Sequence, residues 1–330
     1  MNWLITGGCG FIGTSLIRRL RLDGDHAIRV VDNLSVGTLE DLKSVTPVVE
    51  VGADDSSPIA PPSLDYCQLV CGDIIDDQIA LQVTEGIDVI VHLAANTGVG
   101  PSVEDPRSDC LANVIGTFNY LEAARLNKVS RFVFASSGAP VGEVEPPIHE
   151  ELPPHPVSPY GASKLAGEGY CSAYFRTFGI DTVALRFGNI YGPGSTHKSS
   201  VVAKFFKLAL DGQALEIYGD GSQTRDFIFI DDLIDATYRA ATQDGVGGEV
   251  FQIATSKETT VGEVTELLLK VLKSRYIHEV TVINGEVRLG DVKRNFSDTT
   301  KARQRLGWTA RITLQEGLNK TADYFLAQRK

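Results

Sequence analysis

The sequence predicts a doubly wound parallel α/β sheet followed by a smaller C-terminal α/β lobe, on three observations. An apolar run at residues 2–6 leads into Gly7, Gly10 and Gly13 and then into a helix. Apolar runs and helical stretches then alternate as far as residue 187, the rhythm of strand, crossover and parallel strand. From Gly188 onward short strands lie between amphipathic helices, so the domains read as 1–187, to which 226–255 return, and 188–330. A chain of 330 residues is long enough for two such cores.

The first strand and its glycines set the start. Gly7 turns the chain sharply out of the strand, Gly10 removes a side chain where a diphosphate approaches the backbone, and Gly13 lets the helix at 11–20 pack closely on the sheet. The head of that helix, at Phe11 and Ile12, brings backbone amides and the positive end of the helix dipole to one point, which suits a diphosphate. Gly-x-x-Gly-x-x-Gly alone is a weak signal, equally compatible with a bare βα turn. The second apolar run, 27–31, adds to it by ending in Asp32, an acid placed to accept hydrogen bonds from both ribose hydroxyls and to repel a 2′-phosphate. The pattern therefore predicts NAD rather than NADP.

Residues 33–63 are polar, and their last part reads as a proline-rich surface loop. A strand at 66–70 is followed by Asp73, placed to accept the adenine amino group, and Ile74, placed to pack on the ring; a helix at 76–83 comes next. Residues 88–93 are continuously apolar, as in a parallel strand covered on both faces. The loop at 94–100 leaves the C-terminal end of that strand, where open α/β sheets bind ligands, and is a candidate nicotinamide loop. Residues 107–127 read as one long helix, apolar on one side, and the strand at 131–135 ends in Ser136-Ser137-Gly138. After an irregular stretch at 143–159 come a helix at 160–178 and a strand at 181–186. In the lobe, 199–210 and 261–273 read as amphipathic helices, with short strands near Glu216, Asp226, Val250 and Val280; 227–241 reads as a strand and helix returning to the large domain.

Composition narrows the function. Hydrophobic residues make up 43% and charged residues 22% of the chain, and a net charge of −11 argues against a nucleic-acid or anionic-membrane surface. No apolar run is long enough to span a bilayer, and the N-terminus enters a strand at once, so a cytoplasmic protein is expected. The five cysteines are scattered, which argues for reduced thiols; Cys67 and Cys71 have no second His or Cys pair at a zinc-like distance, so no metal is expected.

Tyr160-Gly161-Ala162-Ser163-Lys164 places a phenol and an ammonium one helical turn apart on one face. Free tyrosine, with a pKa of about 10, is a poor base at neutral pH, but a neighbouring Lys⁺ and an oxidised nicotinamide both favour the phenolate. It then becomes a usable general base. Ser137, at the C-terminal tip of its strand, is placed to pass a proton between tyrosine and substrate. Tyr-x-x-x-Lys by itself is more often an exposed tyrosine over a lysine stem. Its conjunction with the glycine turn and the serine is hard to explain structurally.

With these residues in place, the chain resembles the extended short-chain dehydrogenase/reductases, in their NAD-dependent nucleotide-sugar epimerase and dehydratase group. The supporting stretches are 6–13, 72–74, 92–95, Asn113, Ser136-Ser137, 160–164, 186–193 and 219–226, so the resemblance covers nearly the full length. It implies a Rossmann domain with a nucleotide-sugar-binding lobe. It further implies cofactor contacts at Gly7, Gly10, Phe11, Ile12, Gly13, Asp32, Asn33, Asp73, Ile74, Leu93, Ala94, Ala95, Asn113, Tyr160 and Lys164, with Ser137, Tyr160 and Lys164 catalytic. Substrate contacts are implied at Ser137, Asn189, Val201, Tyr218, Arg225, Arg288, Asp291 and Asn295. Asn189 and Arg225 would hold the diphosphate, Arg288 and Asp291 the diphosphate and nucleotide ribose, and Asn295 would flank the sugar C2 substituent.

Within the group the chain is most similar to the 4-epimerases of UDP-galactose and UDP-glucose. Dehydratases carry Thr-Asp-Glu after the fifth strand and sugar-acid decarboxylases a Glu, whereas this chain has Ser137-Gly138-Ala139. Two departures from the group are Val141 and Phe227, where tyrosines are usual. The resemblance implies reversible inversion at C4 of a UDP-hexose, the N-acetylated pair included, through a transient 4-keto sugar. A UDP-glucuronate 4-epimerase, a nucleotide-sugar reductase and a non-catalytic NAD-binding scaffold stay open as alternatives. A homodimer is implied through the helices at 107–127 and 160–178, with Tyr120, Ala124 and Tyr174 as candidate contacts.

Overall fold

Strands β1 (Asn2–Thr6), β2 (Ala27–Asp32), β3 (Val48–Glu50), β4 (Cys67–Cys71), β5 (Val89–His92), β6 (Arg131–Ser137), β7 (Asp181–Phe187) and β12 (Glu249–Ile253) make one sheet, in the order β12-β7-β6-β5-β1-β2-β4-β3. A computed structural model describes residues 1–52, 59–286 and 293–329 of the chain. Every pairing from β3 across to β6 is parallel, and the strand order reverses direction at β1, so the sheet is doubly wound as predicted. All six residues of β2 and all four of β5 are buried, which is why both read as unbroken apolar runs. The one cation among them, Arg29, is satisfied by the Gln68 side chain and by the carbonyls of Ala60 and Val83.

The chain groups into two units. Met1–Glu143, Glu150–Arg186 and Ile234–Phe251 form the first; Val144–His149, Phe187–Leu233 and Gln252–Lys330 form the second. In the first, helices α1 (Phe11–Asp23), α2 (Leu39–Lys43), α3 (Asp77–Val83), α4 (Val99–Glu104), α5 (Pro106–Cys110), α6 (Gly116–Leu126) and α7 (Pro159–Phe178) connect the strands. Residues 33–52 of the polar stretch after β2 are more ordered than their composition suggests. Thr38 and Asp41 form a capping box on α2, and β3 adds an edge strand beside β4.

The helix expected at 107–127 is two helices joined by a π-helical turn, Leu111–Ile115, and α4 precedes them. That wide turn contains Asn113. Ile74, expected against an adenine ring, turns its side chain into the core against Gly116 of α6. Tyr120, Ala124 and Tyr174, expected on an outward face, are core residues at 0%, 0% and 6% exposure. The outward residues are Leu111, Ile115, Tyr170 and Phe178, at 39–50% exposure. For Tyr120 and Ala124 on α6 the reason is the π turn, which resets the helical phase that a uniform 3.6-residue period assumes; Tyr174, on the unbroken α7, turns inward to donate to Glu122 at 2.8 Å.

In the second unit, β8 (Asn189–Tyr191) pairs parallel with β11 (Phe227–Phe229), β9 (Leu215–Tyr218) parallel with β14 (Val282–Gly285), and β10 (Thr224–Arg225) antiparallel with β13 (Thr259–Thr260). Because β11 pairs with β8, the strand near Phe227 does not enter the large sheet. Helix α9 (Ile230–Thr242) begins in this unit and continues into the first. Helices α8 (Val201–Leu210), α10 (Val261–Lys273), α11 (Thr300–Arg305) and α12 (Leu314–Ala327) complete it. Capping boxes at Thr260/Glu263 and Thr313/Glu316 start α10 and α12, and Phe206 stacks on Phe325 across α8 and α12. No described helix is long and apolar enough to cross a membrane.

Candidate active site

The glycine turn has the geometry its spacing implies. Gly7 adopts φ +69°, and its amide donates to the Val31 carbonyl at 2.8 Å; a Cβ there would lie 2.9 Å from the Ala94 amide nitrogen. A Cβ on Gly13 would lie 2.5 Å from the Gly7 carbonyl oxygen and Gly8 Cα, so only glycine lets α1 come this close. No side chain caps α1 at Gly10, and Phe11 and Ile12 at its head are partly exposed. At the end of β2, Asp32 accepts hydrogen bonds from the Cys9 and Leu34 amides at 2.9 and 2.8 Å. Burial raises its pKa, and those backbone donors work against the rise. An uncapped helix head for a diphosphate and a fixed carboxylate for ribose hydroxyls fit NAD, with Asp32 disfavouring a 2′-phosphate.

The surrounding loops are held by buried polar groups that the motifs do not announce. The Thr6 hydroxyl accepts from the Leu93 and Ala94 amides, each at 3.2 Å, so its proton goes to His92 Nδ1 at 3.0 Å. Thr117 donates to the Asn113 carbonyl and therefore accepts from His92 Nε2–H at 3.3 Å. His92 is thus neutral, its pKa pushed down to about 3 by burial and by Lys164. Asn113 accepts from the Asn96 amide at 2.8 Å, and its Nδ2 lies within 3.1 Å of Asn96 O, Asp109 Oδ1 and Ser163 Oγ. Its amide is fully engaged inside the protein, so it holds the loop bearing Ala94 and Ala95. Asn33 and Asp73 bond to each other at 2.9 Å.

Ser158 caps α7 by accepting from the Gly161 amide, and Pro159 occupies the first helical turn, which puts Tyr160 at the head of the helix. A Cβ on Gly161 would sit 2.7 Å from the Ala139 carbonyl oxygen; that close approach brings the stretch after β6 to α7. The Ser137 hydroxyl comes close enough to the Tyr160 phenol to favour its ionised form. Lys164, 3% exposed, donates to the Ala135 carbonyl at 2.9 Å and lies 5.9 Å from the Tyr160 ring centre. Burial lowers its pKa to about 8, against the opposing pull of Asp109, Cys171 and Glu168. The phenol itself is raised, by burial first and by Asp109, with the Ser137 hydroxyl working the other way. In the protein alone Tyr160 therefore keeps its proton; the phenolate expected from Lys164 is opposed by desolvation. Val141, replacing a usual tyrosine, is fully buried.

In the second unit, Asn189, Val201, Tyr218 and Arg225 all line one cavity of about 500 Å³. Lys204, Glu216, Gln223 and Phe227 line it as well, and Lys204 Nζ lies 5.4 Å from the Tyr218 ring centre. Lys204 was not evident from the sequence, where it reads as one more charge on an amphipathic helix. Arg288 and Asp291 lie outside the described residues. Asn295 does not line this cavity; its amide donates to Thr224 Oγ1 at 3.2 Å, one residue from Arg225. Asp226 completes the frame by accepting from Thr255 and from the Ser297 amide.

Residues 3–254 match the NAD dependent epimerase/dehydratase family. The chain is 38% identical over 330 residues to a UDP-glucose 4-epimerase of Mycolicibacterium smegmatis, covering 98% of each. Among solved structures it is similar to the UDP-glucose 4-epimerase of Thermotoga maritima with UDP-glucose, at 32% identity, TM-score 0.88 and 100% coverage of both chains. It is also similar to the UDP-glucuronic acid 4-epimerase of Bacillus cereus in complex with UDP-glucuronic acid and NAD, at 29% identity and TM-score 0.86, covering 99% of this chain and 100% of that one. The chain belongs to the NAD dependent epimerase/dehydratase family: it is an NAD-dependent enzyme whose relatives include UDP-sugar 4-epimerases and nucleotide-sugar 4,6-dehydratases.

Proposed function

We propose that the chain is an NAD-dependent UDP-hexose 4-epimerase acting on UDP-glucose and UDP-galactose. The observation that carries this reading is the Ser137–Tyr160–Lys164 cluster, followed by Gly138 and Ala139 where a dehydratase needs acids. NAD, when bound, supplies a two-electron acceptor that also returns the hydride. With the positive charge of bound NAD⁺ added to that of Lys164, Tyr160 loses its proton to solvent; as the phenolate it takes the proton of the sugar O4 hydroxyl, directly or through Ser137, and gives it back once the 4-keto sugar has presented its other face. Lys164 holds the tyrosine side of that exchange by its positive charge, and the neighbouring His92 stays neutral and structural. In the second unit, Asn189 and Arg225 bind the diphosphate, Tyr218 and Val201 border the nucleotide, and Asn295 flanks the C2 substituent. An Arg fork matches phosphate oxygens in two places at once.

The test is incubation of the purified protein with UDP-galactose and no added cofactor. UDP-glucose should appear; a reductase would need NAD(P)H, and a scaffold would show no turnover. No conversion at millimolar substrate by protein that carries NAD would overturn the reading. A UDP-glucuronate epimerase is distinguished by running UDP-glucuronate in parallel.

We also infer a homodimer through the π turn before α6 and through α7, with the exposed Leu111, Ile115, Tyr170 and Phe178 as the contact. Sedimentation as one chain at micromolar concentration would count against it.

A further inference from the structure

Glu168 of α7 belongs to none of the motifs, yet its carboxylate takes three hydrogen bonds inside the first unit. The Ser136 hydroxyl of β6 donates to its Oε1 at 2.6 Å, and Arg186 of β7 forks both oxygens through Nε and Nη2 at 2.8 and 2.7 Å. All three residues are buried, Ser136 at 3%, Glu168 at 6% and Arg186 at 4% exposure.

The place of this cluster is what gives it a role. Tyr160, Lys164 and Glu168 recur every four residues, so they lie along one face of α7. That face meets the end of β6 residue by residue. A Cβ on Gly167 would lie 2.3 Å from Phe134 Cζ, so glycine seats the helix on the strand; Lys164 then donates to the Ala135 carbonyl at 2.9 Å, and Glu168 accepts from Ser136. The next residue of the strand is Ser137. Through Arg186, Glu168 is also tied to β7, the neighbour of β6 in the sheet.

We propose that Glu168 is a positioning residue of this enzyme: with Ser136 and Arg186 it fixes the register of α7 on β6, and so the approach of Tyr160 and Lys164 to Ser137. This role rests on those three residues acting as proposed above.

Stability alone is a poor reason for such a cluster. Burying two charges costs desolvation that their attraction barely offsets, and apolar side chains of similar volume often serve as well. Arg186 Nη1 is buried and has no hydrogen-bond partner among the described residues, a further cost. Register is a better reason. A helix slipped by one residue moves by about 1.5 Å and turns by about 100°, which would leave both charges unpaired in the core. A displacement of about 1 Å between reacting groups is enough to slow a reaction about 10²-fold.

The triple variant Ser136→Ala/Glu168→Met/Arg186→Met separates the two reasons. It removes one anion and one cation together, so the net charge beside Tyr160 is unchanged. The protein should keep the wild-type Tm to within a few degrees and purify with NAD, while kcat for UDP-galactose falls by about 10–100-fold and KM changes little. In the holoenzyme without substrate, the Tyr160 titration is followed by tyrosine ζ-carbon NMR and assigned by its loss in Tyr160→Phe. Its midpoint should rise by about half a pH unit or more as Lys164 and Ser137 draw away from the phenol. An unmoved midpoint in the folded triple variant overturns the proposal, and so does an unchanged kcat. If the triple variant does not fold, Ser136→Ala decides on the same two readings, because it keeps the ion pair and cuts only the tie to β6. The NMR midpoint needs no substrate, so absence of UDP-galactose turnover in wild type would remove the proposed function and leave this measurement to decide the register.

Discussion

On the proposed reading, the groups that face the cofactor at the head of α1 are backbone amides exposed by glycines, braced by carboxylate and hydroxyl bonds that are already complete. In the cavity of the second unit they are side chains, Lys204, Glu216, Tyr218 and Arg225, contributed by a helix and short strands. A backbone site fails when something is added, since a Cβ has nowhere to go. A side-chain site fails when something is removed or enlarged. Backbone recognition suits a cofactor that is always the same, whereas side-chain recognition can be retuned to a different substrate by one substitution.

The largest expected effect separates chemistry from both kinds of binding. Tyr160→Phe removes the hydroxyl and leaves the ring against Lys164, so kcat should fall by about 10²–10⁴-fold with NAD content and UDP affinity nearly unchanged. Retention of more than about a hundredth of wild-type kcat would exclude Tyr160 as the base.

Next comes Gly13→Ala, the added-atom failure. Its Cβ would lie 2.5 Å from backbone atoms on both sides, Gly7 O and Gly8 Cα, which cannot swing away as a side chain can. The protein should purify with little NAD and with stability lowered by about 1–3 kcal/mol. NAD content equal to wild type would show that α1 can retreat, and the contrast between the two sites would weaken. The removed-atom failure is Arg225→Met, which should weaken UDP by about 10–100-fold, the worth of about 1.5–3 kcal/mol for a charged hydrogen bond, without changing NAD content. A loss of NAD in this variant would show that the two sites are not separable.

The same contrast explains what was legible in the sequence. The α1 site could be read because each glycine has a steric reason at a fixed spacing, and Asp32 ends an apolar run. The Tyr160 helix could be read because its start and its functional pair lie within seven residues, from Ser158 to Lys164. His92 could not, since it acts through partners distant in sequence, Thr6 and Thr117. The π turn was hidden because helical periodicity assumes a constant pitch, and the wrong face of α6 followed from that assumption. In the second unit β8, β10 and β13 are two or three residues long, too short for alternation to register. The cavity residues were found only through resemblance, and Lys204, which no quoted motif contains, was missed.

The smallest expected effect tests whether a side-chain site can be retuned. If Asn295 flanks C2 as proposed, its small side chain leaves room for an N-acetyl group that a bulky tyrosine would exclude. Asn295 is partly buried, and its amide donates to Thr224 Oγ1 at 3.2 Å, which sets it beside the strand that carries Arg225. Wild-type protein should therefore turn over UDP-N-acetylglucosamine as well as UDP-glucose. Asn295→Tyr should lower kcat/KM for the N-acetylated sugar by about tenfold relative to UDP-glucose, some 1.4 kcal/mol of transition-state discrimination, with NAD content unchanged. Unaltered preference would mean that Asn295 does not border C2. A loss shared equally by both sugars would instead place it at the nucleotide, where every substrate is held alike.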